Sequence, residues 1–123
     1  MQQTEPNRFL HLFAGYGVEL EYMIVDRETM TVRSLADTIL SAVGPPGARE
    51  VACGPLAWSN ELAMHVIELK TNGPAAALSG LETLFQHDID RMNALLAEHN
   101  ACLIGSAMHP WMKPDAEAQL WQQ

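Results

Sequence analysis

The sequence predicts an α/β or α+β fold, a sheet with helices packed on one face. Three observations lead there. Apolar segments alternate between strand-like and helical periodicity in the order strand, helix, strand, helix, strand. Each helical segment has a single apolar stripe, which one sheet face can cover. A chain of 123 residues with 48% hydrophobic side chains also suits one domain around one core, without a disulfide scaffold.

The elements follow in order. Residues 1–14 read as a loose lead in which Phe9, Leu10, Leu12 and Phe13 can pack as a short helical turn. After the turn Gly15-Tyr16-Gly17, the β-branched, roughly alternating run Val18–Asp26 reads as a strand, and Val32 begins a short return strand. Ser34 is a plausible N-cap with Asp37 as the capping-box acid, ahead of Leu35, Ala36, Ile39, Leu40 and Val43 at helical spacing. Gly44 is expected as a left-handed cap, with Pro45 and Pro46 stopping the helix. The stretch 44–57 is a connection with a short strand near Val51, and Asn60–Leu69 is the second strong strand. Pro74 fits the first turn of a long helix whose stripe is Leu78, Leu81, Leu84, Phe85, Ile89, Met92, Leu95 and Leu96, ending near His99-Asn100. Ala101–Gly105 is a short apolar strand, and the tail from Met108 carries Trp111 and Trp121 without an evident element to bury them.

Composition narrows the function. Fifteen acidic against seven basic side chains give a net charge of −8, a field that repels phosphate backbones and suits cations, so neither nucleic acid nor an anionic membrane is an expected partner. No apolar run approaches the roughly 20 residues that span a bilayer. Met1–Pro6 has neither a basic region nor an apolar stretch, and two distant cysteines, Cys53 and Cys102, read as reduced packing residues; the expected location is the cytoplasm.

Two acidic constellations stand out. In Glu19-x-Glu21 the side chains share one strand face roughly 7 Å apart. Either that face is simply wet, or a hard divalent cation removes the repulsion and the desolvation. In Asn60–Lys70, Glu68 stands between Ile67 and Leu69, where it either pairs with Lys70 or binds a cation. Glu61 and Glu68 differ by an odd number of positions, so they serve one site only if a bulge intervenes or the regular strand begins after Glu61. His65 reads as a core histidine, although a small hydrolase using Glu19, Glu21 and His65 is a conceivable alternative.

Gly17-Val18-Glu19-Leu20-Glu21 through Val25-Asp26, then Glu61 through Glu68-Leu69-Lys70-Thr71, then Gly105-Ser106-Ala107-Met108-His109-Pro110 resemble, in order, three segments of glutamate–cysteine ligase family 2. That resemblance covers about residues 15–112. It implies an α+β fold with a mostly antiparallel sheet and helices on one face, part of a glutamine synthetase-like catalytic domain of which this chain is the N-terminal portion. It implies Glu19, Glu21 and Glu68, with Glu61 at a more variable position, as carboxylates holding Mg²⁺ or Mn²⁺, and His109 as a substrate-side residue. The implied chemistry uses ATP as co-substrate to phosphorylate the γ-carboxylate of glutamate, followed by attack of an amine such as cysteine, as in glutathione biosynthesis. The family's later H-x-H strand and phosphate-binding basic residues have no counterpart here, so this chain alone is expected to be inactive. The competing reading is a non-catalytic module that self-associates, for example as a homodimer through an exposed sheet face or the tail.

Overall fold

The computed structural model describes residues 9–106 and 108–122. Most of the lead, residues 1–8, lies outside them, as does Ala107 of the Gly105–Pro110 segment. The elements are β1 (Glu19–Asp26), α1 (Ala36–Val43), β2 (Glu50–Cys53), β3 (Leu56–Asn60), β4 (Val66–Thr71), α2 (Leu81–Ala97), β5 (Ala101–Ile104) and α3 (Pro114–Glu117). The five strands form one open sheet in the order β2-β3-β4-β1-β5, every neighbouring pair antiparallel, so the α+β expectation holds.

Strand alternation divides the sheet into two faces. Ile24 of β1, Leu56 and Trp58 of β3, and Ile67 and Leu69 of β4 point to one side, where Ala36, Ile39 and Leu40 of α1 and Phe85, Met92 and Leu96 of α2 close the core. Leu20 and Tyr22 continue that face of β1 and pack against the same core from its margin. Trp58 is fully buried, and its indole Nε1–H donates to Asp88 Oδ2 at 2.8 Å. Asp88 is thus a buried carboxylate on the inner face of α2, with its Oδ1 3.1 Å from Nδ1 of the exposed His87, while Arg91 lies 5.2 Å from the Trp58 ring centroid.

Local chemistry corrects several expectations. Leu35, not Ser34, occupies the N-cap of α1, and its aliphatic side chain offers no cap bond; Asp37 accepts the Thr38 N–H instead of closing a capping box. Gly44 is extended rather than left-handed. It is needed because a Cβ there would collide with the Val51 side chain on β2. The apolar run Asn60–Leu69 is two strands: β3 ends at Asn60, and Glu61–His65 forms a crossing before β4 starts at Val66. The short strand near Val51 is present as β2, hairpinned to β3 across Gly54-Pro55, with Gly54 at φ 71°. Val32 makes only a single bridge to Val25. Pro74 does not open the long helix, since Ala75 is drawn into a bridge with Tyr16 and α2 begins after Gly80.

The lead turns at Ala14–His11 instead of packing as a helical turn, which leaves Phe9, Leu12 and Phe13 exposed. The tail does find a partner. Its backbone pairs with the crossing through Met64 N–H to Gln119 and Trp121 N–H to Leu62, and the Trp121 ring packs on the core margin. Trp111 stays exposed. Both cysteines are free and half-buried. Among the described residues, no helix is long and apolar enough to cross a membrane.

One asymmetry of β1 bears on the site. β4 pairs with Glu19–Met23, whereas β5 pairs only with Met23–Asp26. The carboxylate-bearing half of β1 is therefore laddered on one side only.

Candidate metal centre

The site lies on the sheet face away from the helices. Glu21 of β1 pairs with Glu68 of β4, Glu68 with Ser59 of β3, and Ser59 with Glu50 of β2. A single row therefore crosses four strands, set by the ladder rather than by sequence proximity. The crossing then delivers Glu61 from outside the strands. Glu21, Glu61 and Glu68 each offer one carboxylate oxygen, and these oxygens all lie within 4.8 Å of one another. The odd spacing of Glu61 and Glu68 is reconciled because the regular strand begins after Glu61.

The electrostatics show how the crowding is borne without a cation. Burial pushes the Glu61 carboxyl up, the adjoining Glu68 carboxyl pushes it further, and the charges of Glu21 and Glu68 add to this. Glu68 is itself buried, which acts to raise its carboxyl. Hydrogen bonds from Ser59, Glu61 and Lys70, with the Lys70 charge, outweigh that and hold it below the usual range. Ser59 Oγ donates to Glu68 Oε1 at 2.8 Å, and Lys70 Nζ lies 3.3 Å from the same oxygen and 3.1 Å from Glu50 Oε2. The pairing of Glu68 with Lys70 foreseen from the sequence thus exists beside the carboxylate cluster.

Of the residues singled out from the sequence, Glu21, Glu61 and Glu68 converge. Glu19 shares their face one step along, paired with Lys70 in the ladder, and does not join the group. With Glu21 it lines an open groove of about 410 Å³, together with Met23, Val66, Gly105 and Ser106. His109 stands apart in a backbone clamp. Its Nδ1 accepts the N–H groups of Trp111 and Met112, which makes Nε2 the protonated nitrogen, and Nε2–H donates to Met30 O at 2.6 Å. His65 is buried, its Nδ1 without a partner among the described residues. Burial holds its imidazole below the usual value, and the nearby His109 adds to this against Glu117.

Sequence reasoning missed Ser59 and Glu50. The available signal was Asn60-Glu61-Leu62-Ala63, a set of poor strand formers inside an apolar run, which marks the end of one strand and so places Ser59 opposite Glu68.

An open antiparallel sheet carrying a row of carboxylates is a surface for hard cations and for what they bind, and this defines the class of site. The chain belongs to glutamate-cysteine ligase family 2, whose family model matches residues 16–121. It is 30% identical over 105 residues to a protein of Archaeoglobus fulgidus described only as uncharacterized, a match covering 85% of this chain and 28% of that relative. The chain thus spans under a third of the relative's length. No solved structure matches it.

Proposed function

We propose that this chain is the metal-holding part of an ATP-dependent carboxylate–amine ligase acting on glutamate, with Glu21, Glu61 and Glu68 as ligands to Mg²⁺ or Mn²⁺. The observation that carries this reading is the convergence of three carboxylate oxygens from β1, β4 and the crossing within 4.8 Å. The donor set fits: all three donors are hard carboxylate oxygens, two of them half-buried or buried, the ligand type that Mg²⁺ and Mn²⁺ favour. When bound, the cation neutralises charge that builds on a phosphoryl group in transfer to the substrate carboxylate.

This chain's residues divide the work. Ser59 fixes Glu68 so that one oxygen is held and the other is available. Glu61, its carboxyl raised by burial and by Glu68 and Glu21, reaches the cluster from the crossing as the third donor. Glu19, in the groove beside Glu21, is placed to hold a further cation or its water shell. His109 acts as a positioning residue: by tying the segment after β5 to Met30, it fixes the Gly105-Ser106 wall of that groove. The amine acceptor, such as cysteine, and the ATP site are assigned to the remainder of the enzyme.

The test is a Mn²⁺ titration followed by electron spin resonance. Saturable binding that weakens at least tenfold in Glu21→Gln supports the reading, and equal binding in both removes it. A second reading, a self-associating module, draws on the exposed Phe9, Leu12, Phe13 and Trp111. Sedimentation decides it, a monomer at about 100 μM ruling it out.

A further inference from the structure

Lys70 reaches from the open face of β4 to two carboxylates at nearly equal distance, 3.1 Å to Glu50 and 3.3 Å to Glu68. The two acceptors differ in kind. Glu68 is buried and belongs to the carboxylate cluster, whereas Glu50 sits two strands away in the same row with its side chain 58% exposed. Lys70 and Ser59 both take Oε1 of Glu68, which leaves Oε2 for the cluster side. Since Ser59 holds Glu68 by itself, the lysine is not needed to keep that carboxylate in place.

We propose that Lys70 is the resident counter-cation of the carboxylate cluster, and that Glu50 is the anchor onto which it withdraws when a divalent cation enters between Glu21, Glu61 and Glu68. The inference rests on the metal reading above and deepens it. Three crowded carboxylates need positive charge nearby, and an ammonium at ion-pair distance supplies it. An entering divalent cation meets that ammonium as a like charge. Lys70 is already paired with the exposed Glu50 at 3.1 Å, so it steps back from Glu68 without losing its own partner. Glu50 thereby tunes metal affinity from outside the cluster, touching the cation at no point.

Four forms of the 123-residue chain test this by Mn²⁺ titration with free ion followed by electron spin resonance: wild type, Lys70→Met, Glu50→Gln and the double variant. Lys70→Met is expected to tighten binding roughly three- to tenfold, the scale of one half-exposed ion pair. Glu50→Gln is expected to weaken it by a similar factor, because Lys70 then rests on Glu68 alone. The double variant is expected to match Lys70→Met within about twofold, since Glu50 acts through the lysine. Weaker binding in Lys70→Met, or an equal Glu50→Gln effect with and without Lys70, overturns the proposal; the latter would mean only a lost surface charge. Lys70→Gln, with thermal melting of every variant, repeats the test should the methionine variant unfold early. Wild type binding that Glu21→Gln abolishes but Glu50→Gln leaves unchanged overturns the lysine's role and spares the metal site. No difference between wild type and Glu21→Gln removes both.

Discussion

Glu61→Gln separates a site held together against its own repulsion from an ordinary acidic surface. Two unit charges 4.8 Å apart, the spread of the Glu21, Glu61 and Glu68 oxygens, repel by about 3 kcal/mol at an effective dielectric of about 20 and by about 1 kcal/mol in water. Glu21 is exposed and Glu61 half-buried, so the lower figure governs. Glutamine removes two of the three repelling pairs, a relief of about 1 kcal/mol at pH 8 after screening. An unfolding entropy of about 0.26 kcal/mol/K for 123 residues turns this into a Tm rise of roughly 4 °C without metal. The same change removes an anionic donor and is expected to lower Mn²⁺ affinity at least tenfold.

The pH dependence has a definite sign. The Glu61 carboxyl is raised, by burial first and by its neighbours second, so above its usual value of 4.5 the folded state retains a proton that the unfolded state has released. Stability from this group therefore falls as pH rises through that window, and the Tm gap between variant and wild type widens from pH 4.5 to 8. Differential scanning calorimetry reads both effects. A variant that melts lower than wild type, keeps its Mn²⁺ affinity and shows a pH-independent gap would refute the reasoning.

Two further outcomes are expected. Trp58→Phe strips the donor from buried Asp88, costing about 1.5–3 kcal/mol for a hydrogen bond to a charged group plus about 1 kcal/mol of lost volume. The melting midpoint falls by roughly 12 °C, and a fall under about 4 °C would show that Asp88 finds another partner. His65→Leu tests the depressed imidazole: below its ordinary value of 6.5 the unfolded state takes up a proton that the folded state refuses, so wild type loses stability as pH falls from 7 to 5. Urea denaturation across that range should show a shallower loss in the leucine variant, and parallel slopes would exclude His65 as the cause.

The parts legible in the sequence were those set by periodicity. Val18–Asp26, the stripe of α2 and the short strand after it announced themselves, and with them Glu21 and Glu68 as carboxylates in unlikely places. The parts that stayed hidden depend on long-range contacts. Gly44 looks like a helix cap by local rules, but its lack of a side chain serves the approach of Val51 from β2. Pro74 fits a helix start by propensity, yet a bridge between Ala75 and Tyr16 keeps the chain extended there. Asp88 breaks the apolar stripe of α2 because its partner, the Trp58 indole, is 30 residues away. Family resemblance named Glu19 along with Glu21, while the ladder alone decides that Glu61 comes from the crossing and that Ser59 lies beside Glu68.

The pairing of Glu21 with Glu68 has a consequence for how the chain finds its fold. A slip of two residues along β1 and β4 would leave every side chain on its own face, with Glu21 opposite Val66 or Lys70 instead. Burial of aliphatic side chains distinguishes such registers poorly, and charge does not single out the native one: one slip sets Glu21 opposite Lys70, and the other only exchanges Glu21 for Glu19 opposite Glu68. The native alignment must therefore be enforced from the other side of the sheet, where Leu20 meets Leu69, Tyr22 meets Ile67 and Trp58 locks to α2 through Asp88. The helices act as the jig and the acidic row as the workpiece. On the metal reading proposed above, a cation at the finished row would favour the register that sets Glu21 beside Glu68, so the ligand would also proofread the alignment.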